Sequence, residues 1–221
     1  MVINIFIFPK NKKFKAKHRF LKVLIILLNI IKIYLGIHKK KIIKKIGVIG
    51  LNHSQNIGNN LLKYAIFIKL SELGFDPYIV GIRNFKQNIS FLQKYTKIRL
   101  IKKNFSEIKI NDFDILIVNS DQTWRKWDDY FYDIAFLKFA ENWNKTKLVY
   151  AASLGVNNWE FSENDEELAK YLIKKFDGIS VREKGSIKLI ENHLGIKPIL
   201  TLDPTILIIF YLNIIKRFYY I

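Results

Sequence analysis

One carboxylate lies where it could carry acid–base chemistry. Asp121 follows the apolar run 113–118, which has the character of a buried strand. A carboxylate in that position can bind a sugar hydroxyl or accept its proton. The alternative is that Asp121 caps a turn. Two nearby tryptophans, Trp124 and Trp127, could stack on a sugar ring, although we expect both to be core residues.

A second polar group carries positive charge. Arg182 and Lys184 follow the apolar run 178–181 at the start of a predicted helix. A guanidinium beside the positive end of a helix dipole makes a favourable anion site. The alternative is a structural ion pair between Arg182 and either Glu183 or Asp203.

Two further polar turns follow predicted strands. Gly58 and Asn59 begin a predicted helix, where backbone amides can bind phosphate or carboxylate. Simple N-capping by Asn59 explains the same residues. The glycine patterns of dinucleotide sites and P-loops are absent from the sequence. Ser153 follows the run 147–152 without the histidine and aspartate pattern of a serine hydrolase.

The elements that must position these groups alternate between strand and helix. Apolar runs predict strands at 45–50, 78–82, 113–118, 147–152, 178–181 and 199–202. Helical periodicity predicts helices at 59–73, 163–176 and 183–193, and 85–111 is interpreted as a short helix and an irregular connection. This alternation predicts an α/β fold, a Rossmann-like, mostly parallel sheet with helices on both faces. Since ligands bind at the carboxyl ends of such strands, the polar clusters should meet at one edge.

Composition excludes several kinds of site. The chain of 221 residues has no cysteine, which excludes disulfides, thiolate metal sites and iron–sulfur clusters. Its four histidines are too scattered to show metal-ligand spacing, so no metal is predicted. The net charge is +18, of which residues 1–45 contribute 13 basic and no acidic side chains. Because this charge lies in one arm and the body has no recognised motif, nucleic-acid binding is the weakest interpretation.

The chain divides into three predicted parts: a basic, apolar N-terminal extension at 1–44, the α/β domain at 45–207, and an atypical apolar tail at 208–221. Within the extension, residues 20–37 are mostly apolar but interrupted by Lys22, Asn29 and Lys32. Either an amphipathic helix on an anionic membrane surface or a helix packed on the protein explains this pattern. A membrane span is the weaker interpretation.

Six motifs in this order resemble the polysaccharide pyruvyl transferase family, over residues 45 to about 207. They are NIGNNL at 56–61, SDQTW at 120–124, FLKF at 136–139, YAASLG at 150–155, SVREK at 180–184 and DPT at 203–205. The resemblance implies transfer of pyruvate from phosphoenolpyruvate to two hydroxyls of a saccharide, or of a lipid-linked saccharide, as a cyclic ketal. It also implies a fold similar to one half of a GT-B glycosyltransferase.

The same resemblance assigns roles to residues. Asp121 would orient or deprotonate the acceptor, Arg182 would hold an anionic group of the donor, and Gly58 and Asn59 would lie at the cleft floor. Further substrate-binding candidates at the polar edge are Ser120, Ser153 and Lys184. Phosphoenolpyruvate is a substrate, so no cofactor is implied. The implied setting is exopolysaccharide and cell-envelope assembly in the cytoplasm, at the inner face of the membrane.

The chain departs from the family pattern at its end. Members continue past the DPT motif into a second α/β half with further basic residues, whereas this sequence has 16 residues after Thr205. We therefore expect half of the cleft to be missing, and the chain alone to be inactive unless a partner chain completes the cleft. Two other functions stay open: a GT-B glycosyltransferase using a nucleotide sugar, and a membrane-surface binding module acting through residues 1–45.

Overall fold

The computed structural model describes residues 43–50, 57–81, 98–126 and 131–207, with the backbone alone for Ile57 and Lys102. The predictions for residues 20–37, for Trp127 and for the tail at 208–221 therefore lie outside the described residues. So does nearly all of the predicted N-terminal extension. Within the described ranges, no helix has the length and apolar character needed to cross a bilayer.

The domain is built on one sheet in which every strand pair is parallel. Its seven strands are β1 (Lys45–Ile49), β2 (Asp76–Gly81), β3 (Leu100–Lys102), β4 (Ile115–Val118), β5 (Thr146–Ala152), β6 (Gly178–Val181) and β7 (Ile199–Leu200). Their order across the sheet is β3-β2-β1-β4-β5-β6-β7. This confirms the predicted α/β, Rossmann-like class.

In the described residues, the α-helices that connect these strands are α1 (Ile57–Glu72), α2 (Phe131–Ala135), α3 (Glu163–Ile173) and α4 (Lys184–Leu194). Helix α3 begins after Ser162, whose hydroxyl accepts a hydrogen bond from the Asp165 amide. Helix α4 ends at Gly195, which adopts a left-handed conformation with φ of 68°. Because parallel crossovers are right-handed, α1 covers one face of the sheet and α3 and α4 cover the other.

Strand β3 was not predicted, since its region was interpreted as a short helix and an irregular connection. Leu100 and Ile101 pair with Ile79 and Val80 of β2. Three apolar residues, Ile98, Leu100 and Ile101, lie among basic side chains here, and so short a run does not predict a strand by itself. The pairing with β2 thus defines this strand, and its own sequence does not.

The core confirms the expectation for Trp124. Its indole is 1% exposed, stacks on Phe136 with ring centroids 5.5 Å apart, and donates a hydrogen bond of 3.0 Å to the Ala135 carbonyl. A buried indole with a satisfied N–H is a packing residue. Trp124 therefore supports the segment that follows β4 rather than facing a ligand.

The topology places a crevice at the carboxyl ends of β1 and β4. From β1 the chain passes through α1 to β2 and β3 on one side, and it then continues from β4 to β7 on the other side. The order of the strands therefore reverses between β1 and β4. In open α/β sheets this reversal is the place where ligands bind.

Candidate functional site

The segment after β4 continues alongside β5 and fixes Asp121 at the carboxyl edge. Asp121 forms a parallel bridge with Ala152, and its carbonyl accepts a hydrogen bond of 2.9 Å from the Ser153 amide. Its φ of 120° is one that residues other than glycine rarely adopt. Ala151, which precedes Ala152 at an irregularity of β5, has a φ of 52°. Backbone strain of this kind concentrates at functional sites.

Arg182, which directly follows β6, is surrounded by carboxylates. It donates a hydrogen bond of 3.0 Å to Asp203, and its guanidinium lies 3.6 Å from both Asp121 and Glu183. Both ion pairs left open by the sequence are therefore present. A guanidinium has five N–H donors, so these contacts leave donors for a further anion. The Arg182 side chain is 27% exposed, which leaves it within reach of a ligand.

Asp203, which follows β7, contacts a residue that follows β6 and a residue that follows β4. Its carboxylate accepts hydrogen bonds from the amide and the hydroxyl of Thr205, at 3.0 and 2.6 Å, in addition to the bond from Arg182. The Ser120 hydroxyl lies 3.2 Å from Asp203 and 2.8 Å from the Ala151 carbonyl. Ser120 is only 2% exposed, so it positions Asp203 from beneath the site.

Ser153 anchors the beginning of α4. Its hydroxyl hydrogen-bonds Glu183 and accepts a bond of 2.9 Å from the Gly155 amide. Glu183 also accepts a bond of 3.1 Å from the Ser186 hydroxyl. Because Ser153 is 2% exposed, its hydroxyl makes hydrogen bonds within the protein and does not face a ligand. Lys184, the first residue of α4, is exposed to solvent beside this network.

Gly58 and Asn59 lie in the first turn of α1, with Gly58 exposed and Asn59 4% exposed. The helix begins at Ile57, two residues before the predicted start, so Asn59 lies inside it and is not its N-cap. Lys63 lies one turn after Asn59 on the same helix, and the sequence analysis did not identify it. Its side chain is only 4% exposed. Burial lowers the pKa of Lys63 from 10.5 to about 8, while the charge of Asp121 opposes that decrease. A lysine among the apolar positions of the helical pattern was the available signal.

Asn119 supplies an acceptor at the crevice between β1 and β4. Its amide donates a hydrogen bond of 2.7 Å to the Ile49 carbonyl, and its side chain packs against Gly50, where a Cβ would approach to 3.3 Å. Its Oδ1 is buried and has no hydrogen-bond partner among the described residues. A buried acceptor of this kind suits a ligand that donates a hydrogen bond, such as a hydroxyl.

Burial also affects Tyr150, whose hydroxyl donates a hydrogen bond of 3.1 Å to the Leu202 carbonyl below the site. Burial raises the pKa of Tyr150, and the charge of Asp203 adds to that increase. The phenol is therefore a hydrogen-bond donor rather than a base near neutral pH.

In the described parts of the chain, no three His, Cys, Asp or Glu side chains are grouped as a metal site would require.

A parallel α/β domain with polar side chains gathered at the carboxyl ends of its strands belongs to the Rossmann-like class of ligand-binding domains. A comparison with protein families is more specific, because the polysaccharide pyruvyl transferase model matches residues 56–220. The chain belongs to the polysaccharide pyruvyl transferase family. The match includes all seven predicted site residues and most of the tail at 208–221. No curated protein matches the chain.

Proposed function

We propose that this protein transfers pyruvate from phosphoenolpyruvate to two hydroxyls of a saccharide, forming a cyclic ketal during surface polysaccharide assembly. The observation that carries the proposal is the pairing of Arg182 and Asp121, 3.6 Å apart and both partly exposed at the carboxyl edge. The reaction needs a cation for the donor and a carboxylate for the acceptor hydroxyl within one site. Family membership supports the same reaction class.

Asp121 would bind the acceptor. Its side chain is 20% exposed, and its backbone is fixed by the bridge to Ala152. A carboxylate held in this way can accept a hydrogen bond from a sugar hydroxyl and direct the hydroxyl oxygen toward C2 of phosphoenolpyruvate. Addition to C2 accompanies protonation of C3. Loss of phosphate then allows the second hydroxyl to close the ketal.

Arg182 and Lys184 would bind the donor. The remaining N–H groups of Arg182 can hold the phosphate or the carboxylate of phosphoenolpyruvate. Among the described residues, three acidic side chains lie at this site, Asp121, Glu183 and Asp203, so these two cations do not by themselves offset the charge of the donor. We therefore expect further basic groups to contribute to binding of the donor.

The reaction is tested by calorimetry with the full chain and two competing donors. We expect saturable binding of phosphoenolpyruvate and none of uridine-diphosphate-glucose. Ketal formation is followed in parallel by carbon-13 NMR, with labelled phosphoenolpyruvate and a panel of saccharides. Binding of the nucleotide sugar without phosphoenolpyruvate would contradict the proposal and favour glycosyl transfer. Ketal formation by the chain alone would support the proposed reaction, and it would contradict the expectation that a partner chain must complete the cleft.

We further propose that the acceptor is a lipid-linked saccharide at the inner face of the cytoplasmic membrane. The basic residues of 1–45 support this location, because polybasic segments bind anionic lipid surfaces. Flotation of the full chain with vesicles is the test. Binding to anionic but not to zwitterionic vesicles is expected, and equal recovery from both would contradict this location.

A further inference from the structure

The crevice between β1 and β4 contains a buried polar side chain that has no partner in the described part of the chain. Asn119, the first residue after β4, is 2% exposed, and its Oδ1 accepts no hydrogen bond from any described residue. Its backbone amide donates a hydrogen bond of 2.7 Å to the Ile49 carbonyl, which fixes the residue against the end of β1. An amide oxygen buried without a hydrogen bond costs stability, and proteins retain few such groups. We therefore expect the partner of this oxygen to be a group that the protein binds at the crevice.

The surroundings of Asn119 hold its backbone in place and allow its amide to turn. The Thr123 hydroxyl lies 3.4 Å from the Asn119 carbonyl oxygen and 3.3 Å from that of Asp121, so it links the two backbone positions. The residue after β1 is Gly50, where a Cβ would approach the Asn119 Cβ to 3.3 Å, so the glycine provides room for this side chain. Because the terminal torsion of asparagine has broad minima, the amide can turn its oxygen toward a ligand without a backbone shift.

Asn119 lies close to the carboxylate that is proposed to bind the acceptor. Only Ser120 separates Asn119 from Asp121, so their Cα atoms are at most about 7 Å apart. The Ser120 hydroxyl is hydrogen-bonded to the Ala151 carbonyl at 2.8 Å, beneath the site. A cyclic ketal joins two hydroxyls of one saccharide, and these hydroxyls are neighbours in the sugar. Two polar side chains on one short segment therefore suit the two reacting hydroxyls.

We propose that Asn119 binds the second hydroxyl of the acceptor, the one that closes the ketal, while Asp121 binds the first. The inference rests on the proposed function and deepens it, because it defines the acceptor class as a saccharide with two free neighbouring hydroxyls. The Asn119 Oδ1 accepts a hydrogen bond from the second hydroxyl and directs its oxygen toward C2. In the closure this oxygen bonds to C2 as the C2–O bond to phosphate breaks, and inorganic phosphate carries the hydroxyl proton away. Asn119 thus orients the hydroxyl and takes no part in proton transfer.

The missing partner is tested first by unfolding in urea, without any ligand. Asn119→Leu replaces the amide by an apolar group of similar size, so it removes the unpaired acceptor and should unfold at the same urea concentration as wild type or at a higher one. The matched control is Thr123→Val on the same segment, which removes a fully buried hydroxyl that has protein partners and should unfold at a lower concentration. A decrease in Asn119→Leu as large as that in Thr123→Val would mean that the amide has a partner within the protein, and it would overturn the proposal.

Contact with the acceptor is tested by NMR of the full chain labelled with nitrogen-15 in asparagine. The Asn119 side-chain signals are assigned by their absence in Asn119→Leu, and methyl glycosides of glucose, galactose and mannose are added in the presence of phosphoenolpyruvate. We expect a saturable shift with at least one glycoside and its loss with one of the monodeoxy analogues of that glycoside. The control is Asn192, which is exposed near the end of α4 and should not shift. An Asn119 signal that no glycoside shifts, or that shifts only together with Asn192, would overturn the proposal.

The effect on transfer separates this role from a structural one. We expect Asn119→Leu to raise the KM for the acceptor at least about fivefold, while the Kd of phosphoenolpyruvate measured by calorimetry changes less than about threefold. Thr123→Val should change neither constant by more than about threefold. An acceptor KM that is unchanged in Asn119→Leu would overturn the inference. If wild type forms no ketal, the proposed function fails, whereas the urea and NMR measurements still decide whether Asn119 binds a saccharide hydroxyl.

Discussion

The Ser153 hydroxyl hydrogen-bonds the Glu183 carboxylate, which joins the end of β5 to the residue that precedes α4. Glu183 in turn lies 3.6 Å from the guanidinium of Arg182. The orientation of the candidate donor-binding arginine therefore depends on a buried serine 29 positions earlier in the sequence. Contacts beneath the site, as well as groups that face a ligand, maintain its geometry.

Ser153→Ala should weaken donor binding as well as the fold. The substitution removes the partner of the Gly155 amide and one of the partners of Glu183, which keeps Ser186 and Arg182, and it should cost about 1–3 kcal/mol in the free energy of unfolding. Urea unfolding and calorimetry with phosphoenolpyruvate measure the two effects. Ser162→Ala, which removes the N-cap of α3, is the control and should cost about 1 kcal/mol without changing affinity. Equal affinity losses in both variants would contradict a specific role for Ser153.

Lys63→Met should stabilise the protein at neutral pH. Its folded-state pKa of about 8 lies below the ordinary 10.5, so between these values the unfolded chain binds more protons. The stability of wild type therefore rises with pH across this window, and below pH 8 the buried ammonium opposes folding. At pH 7 we expect Lys63→Met to unfold at a higher urea concentration than wild type. Its free energy of unfolding should be greater by about 1–3 kcal/mol.

Urea titrations at pH 7, 8, 9 and 10 check this expectation, and the difference between wild type and Lys63→Met should shrink as pH rises. Lys69→Met on the same helix is the control, since Lys69 is partly exposed and pairs with Glu72. A constant difference at every pH would show that Lys63 titrates alike in the folded and unfolded chains. A stabilising substitution at a site residue is the usual signature of function maintained against stability.

Gly155→Ala should be more destabilising than Gly195→Ala, although both glycines have a φ of 68°. A Cβ at Gly155 would approach the Gln122 side chain to 2.5 Å, whereas nothing lies within 4 Å of one at Gly195. The shared backbone term is about 1–2 kcal/mol. Thermal unfolding of both variants should therefore give a larger loss for Gly155→Ala, and similar losses would mean that Gln122 moves aside freely.

Much of the fold was predictable because the relevant signals are local. The apolar runs at 147–152 and 178–181 match β5 and β6 to within one residue, and Gly195 correctly predicted the end of α4. Strand β3 was missed because its pairing with β2 defines it. The positions of helices and strands could therefore be inferred from the sequence wherever periodicity and capping determine them.

The site was predictable as a location and less so as a network. Parallel topology brings Asp121, Arg182 and Asp203 to one edge, as the sequence predicted. Whether Arg182 pairs with Glu183 or Asp203 was left open, and the structure shows contacts with both. Lys63 could not be assigned because burial in the folded domain lowers its pKa, and the charge that opposes this decrease belongs to Asp121, 58 positions away. Tertiary environment alone creates that property.

The proposed function requires Arg182 to bind the donor. Arg182→Ala, compared with wild type by calorimetry of the full chain with phosphoenolpyruvate, tests it most directly. The control is Arg99→Ala, which removes an arginine paired with Asp76 at the amino end of β2. We expect saturable wild-type binding, retained in Arg99→Ala and weakened at least about tenfold in Arg182→Ala. Equal affinity in all three proteins, each shown to be folded, would contradict the assignment.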